Sequence, residues 1–446
     1  MPLEPRDVYL ALDLALRVGE VVLSSGAGAA DTQATMLSVT AASGLRGCAV
    51  DVNFDALSVS YQPAPDAPPT TQVRQVAYRS RDYSRLADVD QLVRELSRGE
   101  VEMPEARRRL STITSAAHPY PRWSVTFALG FMAAGAALVI GGTWLVVLAA
   151  FLGAAGIDRI NKLMSRTRWP AFYQQVAGAL FVSVLAISLH AMHVRADPSL
   201  VIGSGIIVLL AGIALVGAIQ DALTGFYVTA TARSLEAMLL TGGVIAGVSG
   251  GLTFGDKIGQ DLQIEVYISH ISDWPLSLLG GALTAAAFSY ACYAPLRSLL
   301  PSSIVGLLGT AVYLATVEWG FGIAWASAIA AIAVGVFSYS LAGRVRVPPL
   351  VVVVAGIVPL LPGLTIYKAL FQLSKGNIVG LISFATAATI AVGLAAGVLL
   401  GEYIAQPLKR EARRMETRLA GPRLVGPFRP RSARAERRAA RRARGT

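Results

Sequence analysis

The spacing of apolar and polar positions divides the chain into two regimes. Up to about residue 115 the apolar residues recur in a polar background. Val8, Leu12, Ala15, Leu16, Val22 and Leu23 form a stripe at helical period. Gly26 and Gly28 close that helix, and Asp31 stands where a second helix, running through about Ala42, needs an N-cap. Period-two alternation over Gly47–Phe54, Leu57–Gln62 and Gln72–Arg79 predicts three strands. Asn53-Phe54-Asp55 reads as a hairpin link, and the proline-rich Pro63–Pro69 as a loop. Two polar helices follow, near Ser84–Arg98 and Pro104–Ala117. These elements amount to a small soluble α/β domain over residues 1–117.

From Ser124 the pattern changes to long apolar segments. Ten are expected, at 124–141, 143–157, 175–192, 199–219, 235–253, 275–293, 300–318, 320–342, 348–366 and 377–401. Most come close to the roughly 20 residues that a membrane-spanning helix needs. Arg159, Lys162, Arg166, Arg168, Arg233, Arg297, Arg344 and Arg346 all fall in loops on one side if the amino terminus is inside. The acidic loop with Asp256, Asp261, Glu265 and Asp273 falls on the other. The positive-inside rule therefore puts both termini in the cytoplasm, with Lys368 and Lys375 as exceptions. Tyr120 and Trp123 suit the interfacial belt.

Composition supports this picture: 54% of residues are hydrophobic and 15% charged. Soluble domains carry about 25% charged residues. The opening residues do not form a signal peptide, because Glu4, Arg6, Asp7 and Asp13 interrupt any apolar core. The net charge of +11 is local. Lys409–Thr446 holds 14 Lys/Arg and 3 Asp/Glu, so the rest of the chain is neutral. A basic, disordered tail over residues 407–446 is expected at the cytoplasmic face, near anionic lipids. No nucleic-acid motif or aromatic interleaving accompanies it, so nucleic acid is not an expected partner. Cys48 and Cys292 imply neither a disulfide framework nor a metal site. The scattered His118, His190, His193 and His270 lack metal-ligand spacing, and no cofactor is expected.

Two features point to transport. The stretch Leu350–Lys368, LVVVVAGIVPLLPGLTIYK, starts as a span and is broken by Pro359 and Pro362-Gly363. At membrane depth, freed backbone groups need protein, ion or substrate partners. Residues 206–219, IIVLLAGIALVGAI, also resemble 350–364 around a shared Ala-Gly-Ile. The copies fall five spans apart, so the second is inverted. The expected fold is thus a polytopic α-helical membrane protein of ten spans. It comprises two inverted five-helix repeats, residues 118–257 and 258–406, behind the α/β domain.

A zwitterionic amino acid would need donors for its carboxylate and an acceptor for its ammonium. A half-helix opening at Pro362-Gly363, followed by Thr365 and Tyr367, offers donors. Ionisable groups at membrane depth are functional candidates. Asp158, Asp221 and Glu236 are candidates for proton coupling, and Asp221 also for substrate binding. Each has a bland counterpart: Asp158 can pair with Arg159, and Glu236 lies three residues after Arg233. Glu318, beside Trp319, reads as interfacial. The α/β domain has no Gly-x-Ser-x-Gly and no histidine before His118, so a membrane-anchored enzyme or sensor is the alternative reading rather than the first.

Several stretches resemble the threonine/serine exporter family. They are Gly19-Glu20 with Ser25-Gly26-Ala27-Gly28, Asp31 and Met36; Ser80–Leu86 and Val89–Leu96; Asp158 with Pro170, Phe172 and Gly178; Ala218–Gly225 with Arg233 and Glu236-Ala237; and Leu361–Leu370. The resemblance runs to about Gln406. It departs at Gly217-Ala218, where relatives often carry Pro-Gly. It implies a non-enzymatic secondary transporter in the bacterial cytoplasmic membrane. Such a protein would export threonine and serine against protons, and it is compatible with a homo-oligomer.

Overall fold

In the computed structural model the described residues are 4–76, 81–209, 212–259, 274–361, 363–374 and 377–419, with the side chains of 363, 364, 367, 370, 371, 374 and 406 onward outside the description. The amino-terminal part contains α1 (Pro5–Ser24), α2 (Ala29–Ala42), β1 (Ala49–Asn53), β2 (Ala56–Tyr61), β3 (Thr70–Gln75), α3 (Tyr83–Ser97) and α4 (Met103–Ser115). The strands form an antiparallel meander in the order β1-β2-β3. Asn53 pairs with Ala56, which makes Phe54-Asp55 the turn. The apolar stripe of α1 is buried against Met36, Leu57 and Val59 in one core. One local expectation fails. Asp31 is not the cap of α2; Gly28 is, and it makes no side-chain cap bond because it has no side chain to make one. The acceptor comes from elsewhere in the fold.

Among the described residues the regular elements of the second part are helices: α5 (Arg122–Val139), α6 (Trp144–Arg166), α7 (Ala171–Ala191), α8 (Pro198–Gly205), α9 (Gly212–Leu223) and α10 (Tyr227–Lys257), then α11 (Trp274–Ala291), α12 (Leu296–Glu318), α13 (Ile323–Val345), α14 (Pro349–Ile357), α15 (Gly363–Ser374) and α16 (Val379–Leu419). Among the described residues seven helices are long and apolar enough to cross a bilayer, and eight if the bent pair formed by Pro198–Val208 and α9 is one span. The chain is a multi-pass membrane protein. Asp261, Glu265, Asp273 and His270 lie outside the described residues.

The two helical sets keep a constant spacing. α5 and α11 both have 18 residues and start 152 positions apart (274 − 122). α6 and α12 both have 23 residues and also start 152 apart (296 − 144). α8 and α14 both begin with proline, 151 apart (349 − 198). Proline suits these starts because its missing N–H and fixed φ match the first helical position.

Both α8–α9 and α14–α15 are interrupted. A 3-10 turn, Ile206–Val208, ends α8, and α9 departs from that axis by 53°. After α14 a 3-10 turn, Val358–Leu360, contains Pro359, and Leu361 then turns extended (φ −63°, ψ 137°) before α15. The breaks register Leu209-Leu210-Ala211-Gly212 with Leu360-Leu361-Pro362-Gly363. The Ala-Gly-Ile match noted in the sequence is seven residues out of step with this Leu-Leu-x-Gly register. The residue standing where Pro362 stands is then Ala211, not Gly217. Pro362 and Ala211 themselves lie outside the described residues.

Residues from Gln406 onward fall outside the main unit, Met1–Ala405. Helical structure continues there to Leu419, and the basic residues beyond lie outside the described residues.

Candidate functional site

The two interrupted helices meet. A Cβ added to Gly212 at the start of α9 would sit 3.1 Å from Cβ of Leu361 in the other break, so glycine is what permits this approach. Beside the crossing is a cavity of about 530 Å³. That size falls within the range of about 300–1,000 Å³ usual for small-molecule sites. Its wall is mainly apolar, with hydroxyls from Ser199, Thr310, Ser327, Thr365, Ser383 and Thr386 and cations from Arg81 and Lys368. Both helical sets contribute equivalent residues: Ala136 and Phe288, Val139 and Ala291, and Ile140 and Cys292 at a shift of 152, and Ile207 and Val358 and Val208 and Pro359 at a shift of 151. The cavity reaches from Cys292, next to the amino-terminal part, to Val317 and Ile323 at the far ends of α12 and α13.

Asp221 lies near the end of α9, outside this lining. It is 1% exposed. Its Oδ1 accepts a 2.8 Å hydrogen bond from the backbone N–H of Ala29, the first residue of α2. Its Oδ2 lies 2.8 Å from Nη1 of Arg233, itself 7% exposed. Arg233 in turn donates from Nη2 to the Ala27 carbonyl at 3.0 Å. The helix α2 is thus capped by a carboxylate 192 residues away, which satisfies an orphan donor at its positive end. Gly28 allows this: a Cβ there would lie 3.3 Å from Asp221 Oδ1. Close by, Asp31 has its carboxyl pushed up from 3.8 to about 6. The cause is the surrounding protein first, then the negative charges of Glu402 and Asp221.

A second attachment joins the amino-terminal part to the bundle beside the cavity, where Phe288 and Cys292 line it. The Tyr83 N–H donates to the Cys292 carbonyl at 2.9 Å, and the Tyr83 ring meets Phe288 edge-on at 6.3 Å. His118 stacks on Tyr293 at 4.3 Å and its Nδ1 lies 2.9 Å from Asp82 Oδ2. The Tyr120 hydroxyl donates to the Ala294 carbonyl at 2.7 Å. Arg81, two residues from Tyr83, forms part of the cavity wall there.

The remaining sequence candidates divide as follows. Thr365 lines the cavity, and Gly363 opens α15. Pro362 and the Tyr367 side chain fall outside the description. Asp158 is buried with Thr126 Oγ1 donating to it at 2.7 Å, and it pairs with Arg122, not with the adjacent Arg159. Glu236 is half-buried one turn from Arg233. Glu318 accepts from the Trp274 indole at 2.5 Å.

Comparison with known proteins settles the family. The family described as "Putative threonine/serine exporter" matches residues 13–255, and the one described as "Threonine/Serine exporter, ThrE" matches residues 277–404. The chain belongs to the threonine/serine exporter family. A "Probable threonine/serine exporter" of Mycobacterium tuberculosis is 38% identical over 424 residues, 92% of this chain and 80% of that protein. A "Threonine/serine exporter" of Corynebacterium glutamicum is 34% identical over 426 residues, covering 92% and 87%. No solved structure matches. This exporter is therefore a transporter and not an enzyme, as the residue-level reading expected. The boundary between the two family matches falls between α10 and α11, where the second helical set begins. Sequence reasoning missed five of the six cavity hydroxyls, Ser199, Thr310, Ser327, Ser383 and Thr386, because small polar residues on apolar spans carry no periodic signal. It did flag Lys368, but only as a violation of the charge rule.

Proposed function

We propose that this protein exports threonine, serine and similar small hydroxylated amino acids across the bacterial cytoplasmic membrane through the cavity between its two helical sets. The observation that carries this reading is the cavity's lining by equivalent residues of both sets at both helix breaks. Counting each interrupted pair as one span, and adding α11 (Trp274–Ala291) to the seven long apolar helices, gives ten spans, five per set. An odd number per set inverts the second against the first. Thr284 Oγ1 donates to the Met132 carbonyl at 3.4 Å, and these two positions are themselves 152 apart, as expected where a pseudo-two-fold axis passes between inverted copies. The amino-terminal α/β part, residues 1–117, then lies in the cytoplasm with the basic tail, which faces anionic lipid.

In this scheme Pro362, Gly363, Thr365 and Tyr367 belong to the substrate-binding break. The hydroxyls of the wall exchange hydrogen bonds with the substrate side chain. Asp221, already engaged by Ala29 and Arg233, acts at the cytoplasmic end as a coupling residue rather than a direct ligand. Asp158 and Glu236 are the other carriers considered for a proton driven by the proton-motive force. The purified protein in proteoliposomes with an imposed pH gradient is expected to accumulate labelled threonine saturably. Flux that is indifferent to both protein and gradient would overturn the reading.

A further inference from the structure

Lys368 breaks the charge pattern of the chain, and the fold explains where it went. It is not in a loop. It sits on α15, half-buried, and forms part of the cavity wall. A charge at that depth is costly unless something compensates it. Among the described residues no acid lines the cavity, and no ion pair joins Lys368 to a carboxylate.

The other helical set shows how a cation in this region is neutralised. At a shift of 151, Lys368 corresponds to Gly217 and Gln372 to Asp221. A Cβ at Gly217 would lie 3.4 Å from Nη1 of Arg233, so a guanidinium fills the space that a side chain would otherwise take. That guanidinium is held by Asp221 at 2.8 Å. In the second set the carboxylate is replaced by Gln372, whose Oε1 accepts from Ser383 Oγ at 2.8 Å. Between α10 and α16 the shift is 152 (379 − 227), and there Arg233 is replaced by Ala385. The repeat thus keeps a cation beside each second half-helix but supplies a protein carboxylate to only one of them.

We propose that Lys368 is the anchor for the α-carboxylate of the exported amino acid, which takes the place that Asp221 fills in the first set. This rests on the cavity being the transport path. A lysine is a compact three-donor cation and can hold a carboxylate while the nearby hydroxyls of Thr365 and Ser383 read the rest of the molecule. The substrate class follows: a free α-carboxylate is required, and amides or esters of the same amino acid are excluded.

The test uses the full chain in proteoliposomes and labelled threonine efflux, with unlabelled threonine and threoninamide as competitors. The wild type is expected to be inhibited by threonine and about 10- to 100-fold less by threoninamide, the range set by one charge-assisted hydrogen-bonded contact. Lys368→Gln is expected to raise KM by a similar factor and to abolish the preference for carboxylate over amide, while Lys368→Arg retains the preference. Equal inhibition of the wild type by both compounds overturns the proposal whether or not the variants fold. So does a Lys368→Gln protein with unchanged KM and preference. Thr310→Trp, which fills the cavity, separates the two claims. Normal flux in that variant sinks the cavity reading itself. Blocked flux there beside a normal Lys368→Gln sinks only the assignment of Lys368.

Discussion

Replacing Asp221 by asparagine removes one charge from a pair that has almost no access to solvent, with side chains 1% and 8% exposed. The amide oxygen can still accept from Ala29, so the roughly 1 kcal/mol of that bond is retained. The amide nitrogen, however, would face the Arg233 guanidinium, donor against donor. Breaking a buried pair by removing one partner costs about 3–5 kcal/mol because the remaining charge is stranded. With one acceptor left for Ala29 and Arg233 still bound to the Ala27 carbonyl, the lower end applies, about 3 kcal/mol, or roughly 100-fold in the opening equilibrium of the contact. Hydrogen exchange at the first turn of α2, in detergent-solubilised protein, reads that opening locally. The amides of residues 29–32 should exchange about 100-fold faster, while those of α5 stay unchanged. A second substitution, Arg233→Gln, should restore at least half of the lost protection by removing the stranded charge. Exchange within threefold of wild type in Asp221→Asn, or a double variant as poor as the two losses added, would refute the reasoning.

Two further outcomes follow from the same geometry. Asp31 titrates near 6 instead of 3.8 with α2 docked and faces Glu402, Asp221 and Tyr339. The docked state therefore holds the proton more tightly, and docking strengthens as pH falls from 6 towards 3.8 and weakens as pH rises through that window. Protection of α2 should be greater at pH 5 than at pH 7.5, and Asp31→Asn should abolish the difference; a pH dependence surviving in that variant would assign it to another group. Gly212→Leu places a side chain where a Cβ already meets Leu361 at 3.1 Å. It should cut threonine flux at least tenfold with insertion intact, as surface expression and size-exclusion profiles would report.

How much could be read from the chain depended on how local the cause was. In the amino-terminal part α1, α3 and the three strands follow from apolar spacing, and all appear within a few residues of expectation. The break at Leu361 was visible because proline announces it. The break before Gly212 was not, since Ala211 carries no such mark and the bend is shaped by packing against the other set. The repeat read from the sequence rests on Ala-Gly-Ile, a match of the kind apolar sequence readily provides, whereas the constant spacing shows in the starts of α5 and α11 and of α6 and α12. Asp221 was recognised as an unusual acid, but its partner Ala29 lies 192 residues away and no spacing rule reaches that far. The acceptor that α2 lacks at Gly28 was the missing clue: a helix start without a capping side chain calls for one from elsewhere.

The central claim is that the solute passes through the cavity where the two interrupted helices meet. Thr365→Cys, in a background carrying Cys48→Ser and Cys292→Ala, places a thiol on that wall. The measurement is its labelling by a small methanethiosulfonate in proteoliposomes, followed by threonine flux. Threonine is expected to slow the labelling, and the labelled protein to lose transport. Labelling that is indifferent to threonine and leaves flux intact would contradict it.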